Sequence, residues 1–128
     1  MSESYKDLIV WQKSMILSER IYQFSRSLPS DESKNLISQI KRCSVSIFSN
    51  IAEGYSRGST NHYRQFFKIT FASAAELESQ LELIGRVKLS TNSELYTEIN
   101  NILLEVLKML STMISNTSKK KDTEKQGG

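Results

Sequence analysis

The residues of this chain with the most chemistry in their arrangement are Gln39, Arg42, Ser46, Asn50, Glu53 and Arg57. They recur at steps of three and four, which puts them on one face of a single helix. Amides, a hydroxyl and a Glu–Arg pair make a stripe suited to directional hydrogen bonding. Glu53 and Arg57 form a favourable i, i+4 pair with the acid on the N-terminal side. Such a stripe serves as a polar seam or subunit interface, or as a ligand surface. It does not provide a nucleophile with its base.

The rest of the sequence adds no catalytic set. No Gly-rich phosphate loop, nucleophile elbow or metal-ligand cluster is present. His62 stands alone near a helix start, where a surface or capping role is ordinary. Cys43 stands alone at the edge of an apolar face and reads as a buried structural thiol. Glu78 and Glu82 share a helix face, with Glu76 nearby. No Glu-x-x-His pattern accompanies them, so they read as solvated charge rather than a di-iron site. The expectation is a protein that is not an enzyme and has no cofactor.

A second group of residues is basic. Lys41, Arg42, Arg57, Arg64 and Lys68, with Lys119, Lys120 and Lys121 in the tail, are candidates for contacting RNA phosphates. Tyr63 and Phe67 lie among them, but their spacing assigns them to a core and not to a base-stacking platform. Residues 34–68 hold six cations against Glu53, a net +5, whereas residues 76–105 hold six carboxylates against two cations, a net −4. This asymmetry suits an anionic partner, and equally a second copy docked acidic surface to basic surface.

These side chains must be positioned by helices. The chain has 128 residues, one proline and five glycines, and 38% of its residues are apolar. That composition argues for one all-α domain, because β proteins of this size need many turns. No apolar run approaches the roughly 20 residues of a membrane span. A single cysteine and no signal-peptide pattern at the N-terminus point to the cytoplasm.

Four helices are expected near 5–27, 31–57, 60–88 and 92–115. Short connections favour an antiparallel up-down-up-down four-helix bundle over residues 1–115. The polar, Lys-rich stretch 116–128 has nothing to bury and reads as a disordered tail.

Pro29 ends the first helix, and Ser30 is placed to cap the second. Gly58 terminates the second helix, and Ser59 or Thr60 caps the third. Thr91 and Glu94 have the spacing of a capping box for the fourth. The second helix has an inner face of Leu36, Ile37, Ile40, Ile47, Phe48, Ile51 and Tyr55. The first is apolar on two sides, Leu8, Trp11, Met15 and Tyr22 against Val10, Leu17, Ile21 and Phe24. A helix apolar on two sides needs two partners. One is the bundle, and the other is expected to be a neighbouring subunit, the alternative being a central helix wrapped by its own chain.

The ordered set of motifs resembles a family, the four-helix-bundle proteins encoded in intervening sequences of 23S rRNA genes. The resemblance covers about residues 5–113. It rests on Tyr5-Lys6-Asp7-Leu8-Ile9-Val10-Trp11-Gln12-Lys13, on Leu36-x-x-Gln39-Ile40-x-Arg42, and on Ser46-Ile47-Phe48-Ser49-Asn50-Ile51-Ala52-Glu53-Gly54. Arg57, Ser59, Tyr63-Arg64-x-Phe66 and Ala75-Glu76-Leu77-Glu78 follow in order. The chain departs from the family at Phe48, where proline is common, and at Ala72, where glycine is common.

The resemblance implies a homopentamer and kinship with accessory proteins of diversity-generating retroelements, which bind RNA and a reverse transcriptase. The resulting expectation is a non-enzymatic oligomeric bundle that binds structured RNA or a ribonucleoprotein. The alternative is a self-assembling protein-interaction scaffold without nucleic acid.

Overall fold

The computed structural model describes residues 4–127, except for the side chains of Ser33 and of residues 118–127. Among the described residues there are four α-helices and no strand: α1 (Ile9–Ser25), α2 (Ser38–Arg57), α3 (Thr60–Arg86) and α4 (Ser93–Gly127).

The helix boundaries follow local chemistry. A separate 3₁₀ turn, Tyr5–Asp7, precedes α1, and the Ser4 side chain accepts from the Lys6 N–H at 3.1 Å. Leu8 is extended, so the expected single helix from residue 5 is broken there. After Pro29 the chain does not enter α2 directly from a Ser30 cap. It makes a 3₁₀ turn, Ser30–Glu32, and a π-helical turn, Ser33–Ile37, before α2 begins.

Gly58 ends α2 in the left-handed region, φ 78°. That conformation suits a residue without a Cβ. The Ser59 Oγ then accepts from the His62 N–H at 3.2 Å and caps α3. At the start of α4 the cap is Asn92, not Thr91: its Oδ1 accepts from the Leu95 N–H at 3.1 Å. The helix passes the expected limit at residue 115, through Asn116 and the buried Thr117. From residue 118 the expected tail, with Lys119, Lys120 and Lys121, falls outside the residues whose side chains are described.

Cross-helix pairs set the topology. Ser46 meets Ser73 and Gln39 meets Gln80, so α3 runs against α2. Lys13 pairs with Glu105, and Arg20 with Glu98 at 2.7 Å, so α4 runs against α1 and closes the bundle.

The core lies on the common axis. It comprises Val10, Leu17, Ile21 and Phe24 of α1, Ile40, Ile47 and Ile51 of α2, Phe67, Ala74, Leu77, Leu81 and Ile84 of α3, and Ile99, Leu103, Val106 and Leu110 of α4. Burying one such large side chain stabilises the fold by roughly 1.5–3 kcal/mol. Ser14 and Ser25 sit on the buried face of α1 and are satisfied within the helix, donating to the carbonyls of Val10 at 2.6 Å and Ile21 at 2.8 Å.

Two glycines allow close packing. Gly54 lies against Phe66 of α3. Gly85 lies against the phenol of Tyr96, which donates to the Leu81 carbonyl at 2.8 Å.

Candidate functional site

The polar stripe of α2 divides in two. Gln39, Ser46 and Asn50 are half-buried and turn into a seam with α3. The Ser46 and Ser73 hydroxyls are 2.9 Å apart, and Asn50 Nδ2 donates to the Ser46 carbonyl at 2.8 Å and to its Oγ at 3.0 Å. Gln80 Nε2 donates to Gln39 Oε1 at 3.2 Å, and Gln39 Nε2 donates to Asn35 at 3.0 Å. Gln80 Oε1 is buried without a partner.

Cys43 is buried beside this seam. Burial, reinforced by the Glu76 carboxylate, raises the pKa of its thiol. Both effects keep it protonated and unreactive. Arg42, Glu53 and Arg57 are exposed. Arg42 reaches Ser38 at 3.4 Å. Arg57 pairs with Glu53 at 3.0 Å and lies over the Phe66 ring, 5.9 Å from its centroid. The expected six-residue seam is therefore three residues inside the molecule and three facing water.

The basic residues do not form one patch. Lys41 lies on the α1 side of α2, with its Nζ 4.8 Å from the centroid of the Tyr22 ring. Arg42 and Arg57 lie fifteen residues apart on one helix, roughly 22 Å at 1.5 Å per residue. Arg57, Arg64 and Lys68 gather where α2 turns into α3, with Lys68 one turn beyond Arg64. At the same end the Ser59 hydroxyl lies 2.6 Å from His62 Nδ1.

A groove between α1 and α2 is a surface feature that the stripe does not anticipate. It consists of two openings of about 490 and 450 Å³ that share Met15 and Phe48. Trp11 and Ala52 line one end, Tyr22, Arg26 and Val45 the other. Tyr5 stacks edge-on against Trp11 at 5.4 Å, and the Trp11 indole nitrogen is buried without a partner. The second apolar face of α1 was legible in the sequence. The contribution of Val45 and Phe48 was not, because Val45 lies off the regular stripe and Phe48 was assigned inward.

Among the described residues no three His, Cys, Asp or Glu side chains come together to hold a metal ion. No described helix is long and apolar enough to cross a membrane. The geometry supplies a hydrogen-bonded seam, an apolar groove and a basic end.

The family model for the 23S rRNA-intervening sequence protein matches residues 6–112. The chain belongs to that family. A solved structure agrees: a protein of unknown function from the S23 ribosomal protein family of Bacteroides thetaiotaomicron is 30% identical, with a TM-score of 0.74 over 84% of this chain and 96% of that one. No curated protein matches the chain. The family match spans the first three helices and most of α4, so the seam, the groove and the basic end all lie on family positions.

Proposed function

We propose that this chain is a non-enzymatic, self-assembling helical bundle that binds structured RNA or a ribonucleoprotein at its basic end. The observation that carries the reading is the grouping of Arg57, Arg64 and Lys68 at the α2–α3 turn, at the opposite end of α3 from Glu82. Phosphate contacts need cations on a fixed frame and no base-specific pocket. The family description names intervening sequences of 23S rRNA, which makes ribosomal RNA the first ligand to test. A gel shift with ribosomal RNA fragments over a salt series tests it. Affinity should fall steeply as salt rises, and should fall at low salt when Arg57 and Lys68 are both changed to Glu. No shift at low salt would refute RNA binding.

A second reading, a self-assembling scaffold without nucleic acid, is favoured by the apolar α1/α2 groove. Sedimentation without RNA separates the two. An oligomer that fails to shift RNA supports the scaffold.

A further inference from the structure

An opening in the surface adjoins the basic end. It has a volume of about 320 Å³ and lies between the start of α3 and residues 113–117 of α4. Tyr63 and Met113 give it apolar walls, and Ser59, Thr60 and Asn116 give it polar ones. Gly58 leaves the rim without a side chain, with open space where a Cβ would stand. Small-ligand pockets run from roughly 300 to 1,000 Å³. This one is at the lower end of that range and suits a single ring system, not a dinucleotide.

Tyr63 gives the opening its chemistry. Its spacing assigns it to the core beside Phe67, yet only Phe67 is fully buried. Tyr63 is half-buried: it packs against Phe67, ring centroids 4.3 Å apart, and also lines the opening. A partly exposed aromatic ring is a stacking surface for a flat heterocycle. The exposed amide of Asn116 brings both donors and an acceptor, as the edge of a base requires.

The charges around it favour an anion. Residues 58–75 and 106–117, which form and flank the opening, contain no Asp or Glu, but they contain Arg64, Lys68 and Lys108. Thr60, Arg64 and Lys68 follow at four-residue steps, one row along α3 that begins in the opening. Phe66, Ser73 and Gln80 mark the flank of α3 that meets α2. Arg64 lies about 160° round the helix from Phe66, away from that flank. Glu53 stays on the α2 side, paired with Arg57 over the Phe66 ring. Arg64 and Lys68 stand about 6 and 12 Å along the axis from Thr60, so a strand leaving the opening passes both.

We infer that the opening receives one unpaired base of a bound RNA, stacked on Tyr63 with its edge at Asn116, while the adjoining phosphates lie along Arg64 and Lys68. The inference rests on the RNA reading proposed above and narrows it. A base inside a duplex is stacked and paired and cannot enter, so the target is a bulge, a loop or an end.

Fluorescence anisotropy on the full chain at low salt tests it, with two probes: a fully paired RNA duplex, and the same duplex with one bulged nucleotide. The parent should bind the bulged probe roughly tenfold more tightly, the scale of one base stacked on an aromatic ring. Tyr63→Leu should bring the two probes to the same affinity, and Asn116→Ala should remove part of the preference, with circular dichroism recorded on both variants. A photoreactive uridine at the bulge should crosslink within residues 58–63 or 113–117. If Tyr63→Leu loses helix content, Asn116→Ala and the crosslink decide. A parent that binds both probes equally, a preference that neither variant alters, or a crosslink elsewhere overturns the inference while RNA binding stands. A parent that binds neither probe overturns both. A free nucleoside monophosphate that competes as well as the bulged RNA makes the opening a nucleotide site and overturns the inference too.

Discussion

Gly54→Ala sets two effects of opposite sign against each other. By helix propensity alone, alanine in the interior of α2 should stabilise the protein by about 1 kcal/mol. The structure argues the reverse. A Cβ at Gly54 would sit 2.6 Å from Phe66 Cβ and 3.3 Å from its Cγ. Carbon atoms in contact settle at roughly 3.5–4.0 Å. The first obstacle is a Cβ, which no rotamer change can move, so α2 and α3 must separate by about 1 Å. Overpacking of this kind costs roughly 1–3 kcal/mol. With the propensity gain subtracted from the upper part of that range, the net loss is about 1–2 kcal/mol. For a domain of this size that lowers Tm by roughly 3–10 °C. Thermal melts followed by circular dichroism, at one protein concentration, measure it. A rise in Tm would show that the helices part without resistance and would refute the close-packing argument.

Tyr96→Phe removes the bond from the phenol to the Leu81 carbonyl, 2.8 Å long and half-buried. It should cost about 1 kcal/mol, read as a lower urea midpoint; an unchanged midpoint would mean that the bond contributes nothing net. Burial raises the pKa of the Cys43 thiol, with help from Glu76, and of the Tyr63 phenol, with help from Tyr55. Both groups favour the protonated form in the fold, so this stability is complete below the unfolded thiol pKa of about 8.5 and is lost as pH climbs past it. Cys43→Ala should flatten the first part of that alkaline decline, and an unaltered stability–pH profile would count against the burial argument. Truncation after Ser118 removes Lys119, Lys120 and Lys121 and should lower the slope of log affinity against log salt for RNA by about two to three, with Tm unchanged; an unaltered slope assigns those lysines no RNA contact.

Periodicity carried the helices and most of the core into view. On α3 the three- and four-residue spacing of Phe67, Thr70, Ala74, Leu77, Leu81 and Ile84 marks an inner face, and all six are buried. Leu36, in the turn before α2, and Ile40, Ile47 and Ile51 of α2 are buried as expected, while Ile37, Phe48 and Tyr55 are only half-buried. Regular spacing cannot separate a core position from a groove position one step round the helix. On α4 the buried line runs through Leu103 rather than Ile102. Both are apolar, and only the neighbours decide which one faces inward.

The glycines show a different limit. By helix propensity alone, Gly85 is a weak point near the end of α3. Its role depends on Tyr96, eleven residues away, whose phenol occupies the space a Cβ would need. The polar stripe was visible as a stripe, but its division into seam and surface depends on Ser73 and Gln80, which no local pattern links to α2.

The joint between α2 and α3 is only Gly58 and Ser59, two residues between helices of 20 and 27 residues. This has a consequence for the order in which the chain assembles. The Ser46–Ser73 contact closes 27 residues, whereas the Arg20–Glu98 contact closes 78. Loop-closure entropy rises by about 0.6 kcal/mol for each doubling, so the second closure costs roughly 1 kcal/mol more. The hairpin of α2 and α3 therefore forms at a lower closure cost than the pairing of α1 with α4, and it gives the two outer helices a template on which to pack. The groove that α1 makes with α2 is completed only when the first helix of the chain docks, so a nascent hairpin does not yet present it to other chains.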